Sequence, residues 1–137
     1  AEEGYGAFRN GLAIKTSERG QLTGATLAGP ASLVKSLTAQ GLETNLEPRI
    51  PSLAYRFARV AEGSLDVGLS STNACDWDIA ASDIILREAG GIVGDLEGTP
   101  PRYNRPTIRH PILVAGPGQL QQELSEALKR ALAQTGK

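Results

Sequence analysis

The sequence predicts an α/β protein, a layered sheet with flanking helices on one or both faces. Three observations carry that expectation. Short apolar strand patterns alternate with helix-length amphipathic stretches along the whole chain. The stretches are punctuated by Gly, Pro, Ser or Asp where helices start and stop. A length of 137 residues, 40% of them apolar, suits one core and one domain spanning 1–137.

The elements follow in order. Asn10-Gly11 offers the positive φ of a tight hairpin turn between Gly4–Arg9 and Leu12-Ala13-Ile14. Thr23–Ala28 reads as a strand. Gly29-Pro30 then opens a helix, with Pro in its first turn, that runs to Gln40 and stops at Gly41; Leu33, Val34 and Leu37 form its apolar stripe. Ser52 is placed to cap a second helix that runs to Gly63. Ala54, Phe57, Ala58 and Ala61 share one face of it, and their small side chains suggest a close packing surface. Leu65–Leu69 alternates as a strand. Asp76 is placed to cap a third helix, Trp77–Ala89, ended by Gly90-Gly91. Strands are expected over Gly91–Leu96 and Pro111–Gly116, with a Pro-rich loop between them. Gln119 to about Gln134 closes the chain as a helix with Leu120, Leu124, Leu128 and Leu132 in register.

Fourteen Lys and Arg against 15 Asp and Glu give a net charge of −1, so no polycationic surface favours nucleic acid or an anionic membrane as partner. The single cysteine, Cys75, rules out an internal disulfide and a multi-Cys metal site and fits a reducing, cytoplasmic setting. No apolar run reaches membrane-helix length. The sequence contains no Met, which points to a piece of a longer or matured polypeptide.

The densest chemistry lies in Asn73-Ala74-Cys75-Asp76-Trp77-Asp78, where two carboxylates flank a Trp at a predicted helix start, the end of the strand where α/β proteins place ligands. Helix capping and the helix dipole account for such carboxylates equally well. Arg102, Arg105, Arg109 and His110 surround the Pro-rich loop, as a solvated loop or as a steering patch for an anion. Gly116-Pro117-Gly118 precedes a helix but lacks the Lys of a phosphate loop, and Cys75 has no neighbouring cation to activate it.

Asp76-Trp77-Asp78-Ile79-Ala80-Ala81, then Ile84-Ile85 and Glu88-Ala89-Gly90-Gly91 with Ile92-Val93 and Asp95, resembles the C-terminal signature of the inositol monophosphatase superfamily. Gly6–Gly11 resembles the hairpin before that family's second half, and Ser52-Leu53-Ala54 the start of a substrate-proximal helix. The resemblance covers nearly the whole chain and implies the C-terminal half of a Mg²⁺-dependent phosphatase, in which metal-activated water hydrolyses a small phosphate monoester such as an inositol or sugar phosphate. It implies Asp78 as a metal ligand and Ala54 and Ser71 as substrate-binding positions.

The family's first-half motifs, a Glu-Glu pair and Asp-Pro-(Ile/Leu/Val)-Asp-Gly-Thr, are not matched, so this chain alone is expected to be inactive and to associate with its missing half or as a homodimer. Where inositol-specific members carry a Glu seven residues before the metal Asp, this chain has Ser71. That difference points away from inositol selectivity and keeps a 3'(2'),5'-bisphosphate nucleotidase in play. A noncatalytic protein-interaction domain of the same fold is the alternative of another class.

Overall fold

The structure is a computed structural model that describes residues 1–136. The chain runs β1 (Phe8–Arg9), β2 (Leu12–Ala13), β3 (Thr26–Ala28), α1 (Ala31–Ala39), β4 (Asn45–Leu46), α2 (Leu53–Ala61), β5 (Val67–Leu69), β6 (Ala74–Cys75), α3 (Asp76–Glu88), β7 (Ile92–Gly94), β8 (Arg109–His110), β9 (Val114–Gly116) and α4 (Gly118–Thr135). The central sheet is five-stranded in the order β4-β3-β5-β9-β7. β3 pairs parallel with both β4 and β5, whereas β9 pairs antiparallel with β5 and β7, so the sheet is mixed.

Two apolar clusters occupy the two faces of this sheet. One joins Phe57 and Val60 of α2 to Ile79 and Leu86 of α3; the other joins Leu33 and Leu37 of α1 to Leu120, Leu124 and Leu128 of α4. The expected layered α/β architecture is therefore present, with helices on both sides. β5 is buried at every position, which follows from its place between two helix layers rather than from alternation.

Gly68 lets α2 come close. A Cβ there would lie 3.2 Å from Val60 Cγ2 and 3.3 Å from Phe57 Cδ1. The buried face of α2 is thus Phe57, Val60 and Ala61, whereas Ala54 is exposed and Ala58 half-buried. Of the face expected from the sequence, Phe57 and Ala61 are buried as expected, whereas Ala54 and Ala58 give way to Val60, which buries more apolar surface against β5 than an alanine can.

Several boundaries also differ. Pro30 is the N-cap of α1 rather than its first helical residue. The strand expected over Leu65–Leu69 begins at Val67, and the one expected over Pro111–Gly116 is confined to Val114–Gly116. β4 and the β6–β8 pair were not expected; two-residue strands carry too little alternation to register as a pattern.

The hairpin β1–β2 pairs Phe8 with Ala13, and Asn10 and Gly11 both take positive φ, at 51° and 81°. It is fastened to α3: the Glu88 carboxylate accepts the Gly4 and Gly6 amides at 2.9 Å each, and the Thr16 amide donates to the Ala89 carbonyl at 3.0 Å. Those two amides hold Glu88 below the usual carboxylate range. Among the described residues no helix is long and apolar enough to cross a membrane.

Truncation of Phe57, fully buried beneath Gly68, tests the α2–β5 contact. Phe57→Ala is expected to lower the unfolding free energy by about 3 to 5 kcal/mol, read from urea midpoints at unchanged m-value.

Candidate functional site

β5 ends at Leu69, and the chain turns through Ser70–Asn73 into β6 and α3. Ser70 is buried and prolongs the ladder with the segment before β9: its amide donates to the Leu113 carbonyl at 2.9 Å, and its hydroxyl accepts the Leu113 amide at 2.9 Å. Asn73 closes the turn at φ 77°, a left-handed conformation that Asn tolerates better than most side chains. The start of α2 faces this turn. Between them lies a cleft of about 410 Å³ whose walls include Ser52, Ala54, Arg56, Ser71, Trp77 and Asp78. The three positions singled out in the sequence, Ala54, Ser71 and Asp78, thus line one concavity, although they come from three separate segments.

Two carboxylates open α3, and their hydrogen bonds separate their roles. The N-cap is Cys75, and the Cys75 amide donates to Asp78 Oδ2 at 2.8 Å. Asp78, not Asp76, therefore caps the helix, from the third helical position. Its Oδ1 accepts no hydrogen bond from the described residues, and Asp78 stands half-buried in the cleft wall.

Asp76 turns away from the cleft. Its Oδ1 lies 2.6 Å from His110 Nε2, and its Oδ2 accepts the Asn104 amide at 3.0 Å. His110 and that amide hold Asp76 below the usual carboxylate range. The Tyr103 ring lies 5.8 Å from the His110 ring, and the Tyr103 hydroxyl donates to Asp83 Oδ2 at 2.6 Å. Burial and Asp83 push the Tyr103 phenol up. Asp76, His110, Tyr103 and Asp83 together clamp the Pro-rich loop onto α3. Sequence spacing concealed this network, because its members lie up to 34 residues apart.

Arg56 reaches from α2 to the end of β5. Its Nη1 donates to the Leu69 carbonyl and its Nη2 to the Ile50 carbonyl, each at 2.6 Å, so one guanidinium ties together both walls of the cleft. No local sequence pattern marks Arg56, because its partners are carbonyls brought near it only by the fold.

The remaining candidates lie elsewhere. Arg102, Arg105, Arg109 and His110 surround a separate small cavity of about 120 Å³. Cys75 is buried. Pro117 is the N-cap of α4 and makes no side-chain cap, away from the cleft.

The cleft can bind a polar small molecule, but it holds no acid–base pair. His110, the one histidine of the sequence, is committed to Asp76. For a divalent cation the donor set is incomplete: Asp78 is the one carboxylate of the cleft, and among the described residues no group of three or more His, Cys, Asp and Glu could hold a metal ion. Mg²⁺ is held by one or two carboxylates with waters and substrate phosphate oxygens. This chain alone does not fit a resident metal centre, and Asp78 could serve only as one ligand among several.

The model of the inositol monophosphatase family matches residues 1–134. The inositol-1-monophosphatase of Mesorhizobium japonicum is 29% identical over 141 residues, covering 96% of this chain and 51% of that protein. The Nus factor SuhB of Haemophilus influenzae is 27% identical over 143 residues, again covering 96% and 51%. Among solved structures, the Thermotoga maritima IMPase superimposes with a TM-score of 0.82 at 28% identity, covering 98% of this chain and 52% of that one. The chain therefore spans about half the length of the relatives it matches.

Asp76→Asn tests the clamp. The lowered acidity range of Asp76 means that its contribution to stability is present above the usual carboxylate pKa and is lost as pH falls through the folded-state value. Urea midpoints of the wild type and Asp76→Asn are expected to differ at about pH 5 to 7 and to converge as pH falls below the usual carboxylate range. Parallel curves at every pH would remove Asp76 from the clamp.

Proposed function

The chain belongs to the inositol monophosphatase family, and we propose that it forms the substrate-holding C-terminal half of a metal-dependent phosphatase acting on a small phosphate monoester. One observation carries this above all: Ala54, Ser71 and Asp78, drawn from separate segments, line a single cleft, and Asp78 keeps one carboxylate oxygen free of protein hydrogen bonds there.

Within that half, Asp78 would supply one carboxylate to a Mg²⁺ site whose other ligands would come from outside the chain. The ion would supply charge neutralisation at the phosphoryl group and an activated water. The chain's own residues bind and orient. The Cys75 amide fixes the Asp78 carboxylate in place, and the exposed Trp77 forms one rim of the cleft. Ser71 and Thr72 present hydroxyls where a sugar or a second polar group would lie. Inositol, other sugar phosphates and 3'(2'),5'-bisphosphate nucleotides are the substrate classes that a short neutral Ser71 can accommodate. The partner is thus a small phosphorylated molecule rather than nucleic acid or membrane, in a cytoplasmic setting that suits a free thiol at Cys75.

The missing half of the fold is the macromolecular partner. Phe8, Tyr55 and Leu12 are exposed on the hairpin and α2, and Phe8 and Tyr55 border a groove of about 400 Å³ completed by Ile14, Ala58 and Ile85. Apolar surface of this kind invites a covering element, the other half or a second copy. A noncatalytic interaction domain is the second reading, favoured by the relative named Nus factor SuhB.

Activity assays separate the two. The 137-residue chain with Mg²⁺ should not hydrolyse inositol phosphate, fructose bisphosphate or adenosine bisphosphate. A protein in which this chain is joined to the rest of the family fold should hydrolyse at least one of them. Asp78→Asn in that protein is expected to cut turnover by orders of magnitude with little change in Tm, since Asn can still accept the Cys75 amide. Absence of turnover in the joined protein would favour the interaction domain.

A further inference from the structure

A second cleft, of about 440 Å³, adjoins the first. Its lining includes Pro30, Ala31, Glu47, Arg49, Arg56 and Ser71. Pro51, Arg56 and Ser71 belong to both cavities, so a single small molecule can extend across that shared wall from one to the other.

The charges lining this second cleft do not balance. Glu47 is paired with Arg59 at 3.1 Å, outside the cavity lining. Neither Arg49 nor Arg56 has a carboxylate partner among the described residues. Arg56 is held in place by two backbone carbonyls, and its Nε is buried without any hydrogen-bond partner. Burial, and then the like charge of Arg49, lower its pKa. A guanidinium that is fixed, partly desolvated and beside a second cation is costly unless an anion completes it.

The backbone adds to the same field. α1 begins at this cleft with Pro30 as N-cap; no side chain caps its first turn and no acidic residue stands in that turn. The Leu33 amide donates to the Pro30 carbonyl, but the Ala31 and Ser32 amides and the positive end of the dipole have no side-chain partner. The approach of α1 depends on Gly29, where a Cβ would lie 2.7 Å from Leu69 Cβ.

We infer that the Arg49–Arg56 cleft is a subsite for a second phosphate group of the substrate whose scissile phosphate lies beside Asp78, which makes the substrate class a small bisphosphate. The inference rests on the phosphatase reading above for the place of the scissile group, but the anion site itself does not need the metal. Arg49, exposed and without a carboxylate partner among the described residues, is the charge-assisted donor to the phosphate, while Arg56 provides the fixed charge.

Inorganic phosphate is the first probe. Titrated into the ¹⁵N-labelled 137-residue chain in excess EDTA, it is expected to give saturable shifts at the Ala31, Arg49 and Ser71 amides. Arg49→Gln should weaken that binding about tenfold, the loss of one charge-assisted hydrogen bond. Arg56→Gln should weaken it further; if that variant fails to fold, Arg49→Gln, which holds no structural hydrogen bond, decides alone. No saturable shift, or shifts indifferent to Arg49→Gln, overturns the subsite.

The second arm uses the protein carrying the whole fold. There Arg49→Gln should raise KM for fructose 1,6-bisphosphate about tenfold more than KM for inositol monophosphate. Equal changes would show that the site takes free phosphate rather than the second phosphate of a substrate, and would overturn the bisphosphate assignment. Absence of turnover in the unmutated whole-fold protein, with phosphate binding intact, would instead sink the phosphatase reading, so the two failures are distinguishable.

Discussion

The close approach of α2 to β5 over Gly68 is the contact from which the cleft is built. Phe57 and Val60 descend into the space that a side chain at residue 68 would fill. That fixes the height and rotation of α2, and the neighbouring residue, Arg56, is thereby brought level with the Leu69 carbonyl, one position beyond Gly68. Packing in the core and hydrogen bonding at the cleft are thus adjacent steps along the same two segments. The burial of Phe57, about 3 to 5 kcal/mol, and the two charged hydrogen bonds of Arg56, about 1.5 to 3 kcal/mol each, are of comparable size. Core packing and the guanidinium therefore hold α2 against β5 together.

The mixed sheet explains why the cleft opens where it does. β3 and β5 run parallel, and the segments leaving their ends lead to α1 and α3. Helix starts therefore gather at the same edge of the sheet, as expected where parallel strands deliver chain to helices. β9 inserts antiparallel beside β5, and Leu113, just before it, seals Ser70 into the ladder. The turn Ser70–Asn73 is consequently anchored at its base and exposed at its tip, where Ser71 and Thr72 stand open to solvent.

Much of the fold was legible because its signals are local. Asn10-Gly11, Ser52 and Gly90 each solve a backbone problem within a few residues, and the leucines of α4 repeat at helical spacing from Leu120 to Leu132. Ser52 does accept the Tyr55 amide, at 3.1 Å. What escaped was non-local: the two-residue strands, the place of Val60 on the buried face of α2, and Arg56, whose partners are carbonyls 6 and 13 residues away. Alanine periodicity on α2 misled because small residues are compatible with a packed face and with an exposed one, whereas the position of Gly68 opposite Phe57 is a tertiary fact. For the site, motif resemblance pointed to Ala54, Ser71 and Asp78, and the structure gathers them in one cleft. The resemblance did not indicate how the two carboxylates at the start of α3 divide their work.

That division follows from counting acceptors. A carboxylate offers two oxygens, and the start of α3 presents three nearby donors: the Cys75 and Asn104 amides and the His110 ring. Asp76 takes two of them, one on each oxygen, and so becomes part of the scaffold. Asp78 takes the third on Oδ2 and retains Oδ1 for the cleft. Exchanging these assignments would require the Pro-rich loop to cross to the other side of the helix start, away from Tyr103 and Asp83. The clamp on Asp76 is therefore what leaves Asp78 available. A carboxylate half engaged by the backbone is held in orientation yet open to a cation or a hydroxyl, the condition a ligand-binding oxygen needs.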